Sequence, residues 1–323
     1  MNKYYLALLL IVSPFYSQAE CPKDQYFDLN YPNDLKVGPK SGQSAPYTPF
    51  YNRGLYSGEN RPESAPPNTG VFWLPKEACG KKEINLLIAL HGWRSFKNPK
   101  GNVFLKSPEH KHLETYVREH INKGGAPLMI AGPMHDIGPR SNTWFSWDED
   151  KKTGYNINHH IEKMIHLLKE NNINLKIKTV SILGHSNANC AKGLFRSATE
   201  LDKTRYPLHL VLSADGTCGQ SVFINDAFFK MIEKEPKAKL FHMWIWHPSD
   251  EATSKMIKRR YSGINNDPAV TTSLKPEYNT TWKSLDQKFL TYKLKVKGPS
   301  GKHTHSTVPM DILKEVLPRF FKD

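Results

Sequence analysis

The stretch LGHSNANC, Leu183 to Cys190, sets a serine, Ser186, between two small residues, Gly184 and Ala188. A serine hydroxyl is a poor nucleophile until a histidine takes its proton and a carboxylate orients that histidine. Small residues on either side suit a strained turn in which neighbouring atoms crowd the serine. Partners of the right type follow other apolar runs: His91-Gly92-Trp93, His135-Asp136, Asp215, Asp250, and His303 with His305. These types point to acyl transfer by a Ser-His-Asp set.

The elements that must position them read as alternating strands and helices. Gly70 to Pro75, Ile84 to Leu90, Ala126 to Gly132, Ile177 to Leu183, Leu208 to Ala214, Lys239 to Trp246 and Phe289 to Val296 are short, apolar runs. Near-continuous apolar runs suit strands buried on both faces of a parallel sheet. Helical spacing covers His112 to Lys123, stopping at Gly124-Gly125, then Asn158 to Asn171, the residues from Ser186 onward, Asn225 to Glu235, and Met310 to Phe321. The pattern predicts a three-layer α/β/α sandwich with a mostly parallel central sheet. In such sheets chemistry gathers at the carboxyl ends of the strands. The His, Asp and Ser residues above fall there.

Ile182 to Ala188 resembles the nucleophile elbow of the α/β-hydrolase superfamily, with a strand before it and a helix after it. The resemblance runs from Gly70 to Phe321 and points to an exported esterase- or lipase-like serine hydrolase. Ala188 departs from the usual second glycine but adds only a methyl. "ALHGW" resembles the strand end before the oxyanion loop, which implies N–H donors near Trp93 and at Asn187. The resemblance places the base after the last strand, where His305, followed by Ser306-Thr307-Val308-Pro309, is preferred to His303. It leaves the acid open between Asp215, after the fourth helix-linked strand, and Asp250, after the fifth. His91, His135 and Trp144 are expected to line the substrate site, with Asn142 to Asp150 as a wall or lid. His159-His160 reads as polar helix surface. No metal or organic cofactor is implied.

The chain has 323 residues, 38% hydrophobic and 24% charged, enough for a sizeable core. Lys3, the apolar run Leu6 to Val12, and Ser17-Gln18-Ala19 read as a secretory signal over residues 1–19. Glu20 before Cys21 disfavours a lipid anchor, and no later stretch is apolar enough to be a transmembrane helix. Residues 20–69 form a Pro/Gly-rich extended lead-in, and 70–323 the catalytic domain. Export, to periplasm or medium, makes disulfides available to the four cysteines. On the fold above, Cys190 and Cys218 lie near one end of the sheet, so Cys190–Cys218 and Cys21–Cys79 are the expected pairs.

The formal charge is +14, which suggests attraction to an anionic envelope surface. No motif that reads nucleic acid is present. The expected substrate is a small or polymer-linked carboxylic ester, with an amide second. Two rivals use the same residues differently: a non-catalytic envelope- or polymer-binding protein, and a metal-dependent hydrolase built on the histidines.

Overall fold

The computed structural model describes residues 21, 23–29, 70–90, 113–133, 147–148, 153–154, 156–189, 193–215, 226–245, 255, 289–293 and 307–322. Its centre is an eight-stranded sheet ordered β1-β2-β4-β3-β7-β8-β9-β10. The strands are β1 (Gln25–Leu29), β2 (Gly70–Leu74), β3 (Glu83–Leu90), β4 (Leu128–Pro133), β7 (Lys176–His185), β8 (Leu208–Ala214), β9 (Lys239–Trp244) and β10 (Phe289–Lys293). A separate two-residue hairpin pairs β5 (Trp147–Asp148) with β6 (Thr153–Gly154). Strands β4, β3, β7, β8, β9 and β10 run parallel, while β1 and β2 add an antiparallel edge.

The apolar runs become strands because both faces of each are covered. Along β3, Ile84, Leu86, Ile88 and Leu90 join one core, and Leu87 and Ala89 join the other. Burying each such leucine or isoleucine contributes about 1.5–3 kcal/mol. The first core takes Ile161 and Met164 of α2 (Ile157–Glu170), Leu194 and Ala198 of α3 (Leu194–Glu200), and Ile232 of α4 (Asp226–Lys234). The second takes Val117 of α1 (Leu113–Asn122) and Leu313 and Val316 of α5 (Val308–Phe320). The expected three layers are therefore present.

Helix ends follow local chemistry. Helix α1 stops at Gly124, whose φ of +82° suits glycine. At Gly125 a Cβ would fall 2.0 Å from the His120 ring, so a side chain there would expel the imidazole. Helix α2 starts with a capping box: Asn156 accepts from the N–H groups of Asn158 and His159, and His159 Nδ1 accepts from the Asn156 N–H at 3.3 Å.

Strand β1 lies within the stretch read as a lead-in. Phe27 stacks on Phe72 of β2 with centroids 4.6 Å apart. Cys21 and Cys79 form a disulfide, with Cα atoms 5.5 Å apart, as expected. Arg118 on α1 bonds both Asp24 and Glu77 and lies 5.4 Å from the centre of the Trp73 ring. The pair Cys190–Cys218 lies outside the described residues. No helix among the described residues is long and apolar enough to cross a membrane.

Candidate active site

Strand order determines where a crevice opens. From β3 the chain enters α1 on one face of the sheet, and from neighbouring β7 it enters α3 on the opposite face. Connections that leave two adjacent parallel strands in opposite directions open a crevice between their carboxyl ends. Leu90, the last residue of β3, pairs with Gly184 of β7. Ser186 therefore emerges two residues beyond that pair, at the mouth of the crevice.

Strand β7 runs to His185, two residues further than its apolar run, and Ser186–Asn189 then fold into one 3-10 turn. The α-helix starts only at Leu194, so the helix expected from Ser186 is a tight turn first and an α-helix later. The tightness explains Gly184. A Cβ there would lie 2.5 Å from Asn189 Oδ1 and 2.8 Å from Leu194 Cβ, closer than real Cβ contacts. Ala188 is fully buried, in the core that also holds Ile182 and Leu194. Gly184 is thus sterically required, and Ala188 is enclosed by the core. In the first turn of a helix the N–H groups lack intrahelical acceptors, so the Asn187 N–H starts out available to an external acceptor.

The turn is tied to the next strand. Asn189, 2% exposed, donates from Nδ2 to the carbonyl of Ala214 at 3.1 Å. Ala214 pairs with His185 across the sheet, and with Met243 on its other side. Asp215 follows immediately. It is 2% exposed and takes φ +36°, a left-handed conformation that aspartate tolerates better than most residues. Its N–H donates to the carbonyl of Met243 at 2.8 Å. Its Oδ1 accepts from the N–H of Ile245 at 3.1 Å. Asp215 is thus a buried carboxylate in a left-handed backbone conformation, one strand from the serine turn.

Sequence reasoning reached Asp215 but not its surroundings. Asn189 carried no signal, being a small polar residue with no periodicity. Ser213 and His242 are fully buried, and Ser213 Oγ lies 3.0 Å from His242 Nδ1. His160 corrects an expectation: it is 1% exposed within α2, not surface, and burial pushes its imidazole down to about 3.

Helix α5 carries the chain away from this edge along the sheet face opposite α3. Its last residues meet the strand beginnings, with the Phe321 carbonyl accepting from the Ala126 N–H at 3.0 Å and Phe320 5.4 Å from Phe241. A helix of 13 residues is about 20 Å long, so its first residues, Thr307 and Val308, lie toward the strand ends. His91, Trp93, His135, Trp144, Asp250, His303 and His305 lie outside the described residues, and for Ser186 and Asn187 the backbone alone is described. No group of three or more potential metal ligands occurs among the described residues.

No protein-family model matches the sequence, and no curated protein matches it. Solved structures do resemble the chain. A feruloyl esterase module from Clostridium thermocellum is 10% identical with a TM-score of 0.47, covering 100% of this chain and 98% of that one. An S-formylglutathione hydrolase from Agrobacterium tumefaciens is 9% identical with a TM-score of 0.37, covering 80% and 91%. An IroE-like serine hydrolase from Shewanella oneidensis is 9% identical with a TM-score of 0.35, covering 79% and 78%. At such distances the reading of the site stands on this chain's own residues.

Proposed function

We propose that the chain is an exported serine hydrolase of the α/β-hydrolase superfamily that cleaves carboxylic esters. One observation carries the reading. Ser186 leads a turn so tight that Gly184 admits no side chain, at the switch-point crevice and one strand from the buried, left-handed Asp215.

Ser186 Oγ attacks the ester carbonyl while His305 takes its proton. His305 then gives that proton to the departing alkoxide, leaving an acyl-enzyme that water hydrolyses by the same route. N–H groups at Asn187 and near Trp93 hold the oxyanion, each worth about 2.7–4 kcal/mol in the transition state. Asp215 orients the histidine and stabilises its cation. Its burial and its anchoring to Ile245 and Met243 support this role, with Asp250 the alternative. His91, His135 and Trp144 shape the substrate side.

Two features support action outside the cytoplasm: the leader-like residues 1–19 and the Cys21–Cys79 disulfide, since disulfides persist in oxidising compartments. The test is hydrolysis of short p-nitrophenyl esters by the protein and by Ser186→Ala. Activity that survives a chelator and disappears in Ser186→Ala is expected. Activity abolished by a chelator and restored by zinc would replace this mechanism with a metal-dependent one.

A further inference from the structure

Away from the crevice, α1 and α5 lie side by side and finish at the edge where the strands begin. Their last turns line an open cleft of about 490 Å3. Leu317, Pro318 and Phe321 give it an apolar floor, and Lys123, Lys314 and Lys322 stand on its rim. Lys123 and Lys322 are exposed. Lys314 lies 3.6 Å from Asp311 and 5.2 Å from the centre of the Tyr116 ring.

The positive charge continues across this face. Strand β7 opens with exposed Lys176 and Lys178, alternating with Ile177, which joins the opposite core. Exposed Lys237 precedes β9, and Lys239 opens it with Nζ 5.8 Å from the centre of the Phe320 ring. Two histidines register the resulting field. Burial, then Lys239 and Lys237, push His209 down to about 4. Burial and, less strongly, Lys123 push His120 down, against the opposing pull of the Phe321 carbonyl.

Cations in the last turn of a helix are expected from its dipole. That account does not extend to Lys176, Lys178, Lys237 and Lys239, which open strands, where net dipoles are small. Nor are the charges of Lys176, Lys178 and Lys237 consumed in ion pairs among the described residues. Glu315 pairs with Arg319 and Asp311 with Lys314; Glu83 stands in register with Lys176, Glu119 lines the cleft and Glu235 lies two residues before Lys237. Lys123, Lys176, Lys178, Lys237 and Lys322 form no ion pair among the described residues.

We propose that this face docks the protein onto an anionic phospholipid bilayer. The chemistry favours a bilayer over a polyanionic chain. The uncommitted cations are lysines, which respond to a diffuse surface potential, whereas arginine forks suit individual phosphates. The aromatic rings here are already covered, Phe320 by Lys239 and Tyr116 by Lys314, so among the described residues no platform is left for stacking nucleobases. The apolar floor between lysines accommodates the glycerol and upper acyl part of one lipid. Docked this way, the crevice at the opposite end of the strands faces away from the membrane, toward substrates other than the supporting lipid.

Sedimentation of the full chain with vesicles tests the idea without any activity readout. Binding to phosphatidylglycerol-containing vesicles, not to pure phosphatidylcholine, and its loss in high salt are expected. Each lysine near the surface is worth about fivefold, so Lys123→Gln, Lys237→Gln and Lys322→Gln together weaken binding about a hundredfold. Lys163→Gln together with Lys230→Gln removes two charges from the middles of α2 and α4, which pack on the sheet's opposite face, and leaves binding within about twofold on this account. Should the triple fail to fold, its single variants are read at about fivefold each. Equal binding to neutral vesicles, a loss in the Lys163/Lys230 double variant as large as in the triple, or binding to soluble polyphosphate without vesicle binding would each overturn the proposal.

Discussion

Replacing Asp215 separates its structural duty from its chemical one. Structurally, its Oδ1 accepts the Ile245 N–H at 3.1 Å, and its own backbone sits at φ +36°. Asn keeps an Oδ1 acceptor and tolerates the left-handed region, so Asp215→Asn is expected to change stability by less than about 1 kcal/mol. Ala keeps neither. A buried N–H left unpaired costs about 1–3 kcal/mol, and a left-handed alanine about 1–2 kcal/mol, so Asp215→Ala loses about 2–5 kcal/mol. Chemically both remove the charge. Losing the triad carboxylate while keeping the geometry lowers kcat about 10⁴-fold, or about 5 kcal/mol of transition-state stabilisation. The assay pairs urea unfolding with kcat/KM on a p-nitrophenyl ester. The reasoning predicts an Asn variant that is stable and nearly inactive. An Asn variant that keeps more than about a tenth of the activity, beside an inactive Asp250→Asn, would move the acid to Asp250 and leave Asp215 a structural residue.

Four other outcomes follow from described contacts. Gly184→Ala drives a methyl into Asn189 and Leu194; a loss of about 1–3 kcal/mol is expected, read by thermal melting, with a fall in kcat larger than any change in KM. Asn189→Ala frees the Ala214 carbonyl; it should cost about 1 kcal/mol and lower kcat, and a variant with native kcat would show that the tie does not position the serine. Removing Cys21 and Cys79 together opens a loop of sequence separation 58; a loss of about 4 kcal/mol by chain entropy is expected in chemical denaturation. His160 is held near 3 when folded, so the unfolded chain binds the extra proton. Its contribution is complete above the unfolded value of about 6.5 and is lost as pH falls toward 3, by up to about 1.4 kcal/mol per pH unit. Denaturation of His160→Gln from neutral pH downward should show a correspondingly shallower fall.

The parallel strands were legible because burial on both faces leaves unbroken apolar runs. Leu208–Ala214 matches its run residue for residue. The serine turn was legible because steric crowding leaves small residues as a trace, which the contacts at Gly184 and the burial of Ala188 now explain. Strand β1 was not legible. QYFDL is short, and its membership depends on partners distant in sequence: Phe72, Cys79 and Arg118. Buried polar residues were the other gap. Periodicity tells which face of an element turns inward, but not that His160, Asn189 or His242 lies on it. That depends on hydrogen-bond partners such as Ala214 and Ser213, brought close by the sheet alone. The geometry of Asp215 was illegible too, because a left-handed backbone leaves no mark on residue type when the residue is aspartate.

The most direct measurement of the central claim is covalent labelling of the purified protein with a fluorophosphonate, followed by peptide mapping. The account predicts one label per chain, on Ser186 within the peptide containing LGHSNANC, absent from Ser186→Ala and slowed in Asp215→Asn. Labelling on another residue, or none on protein shown to be folded, would contradict it.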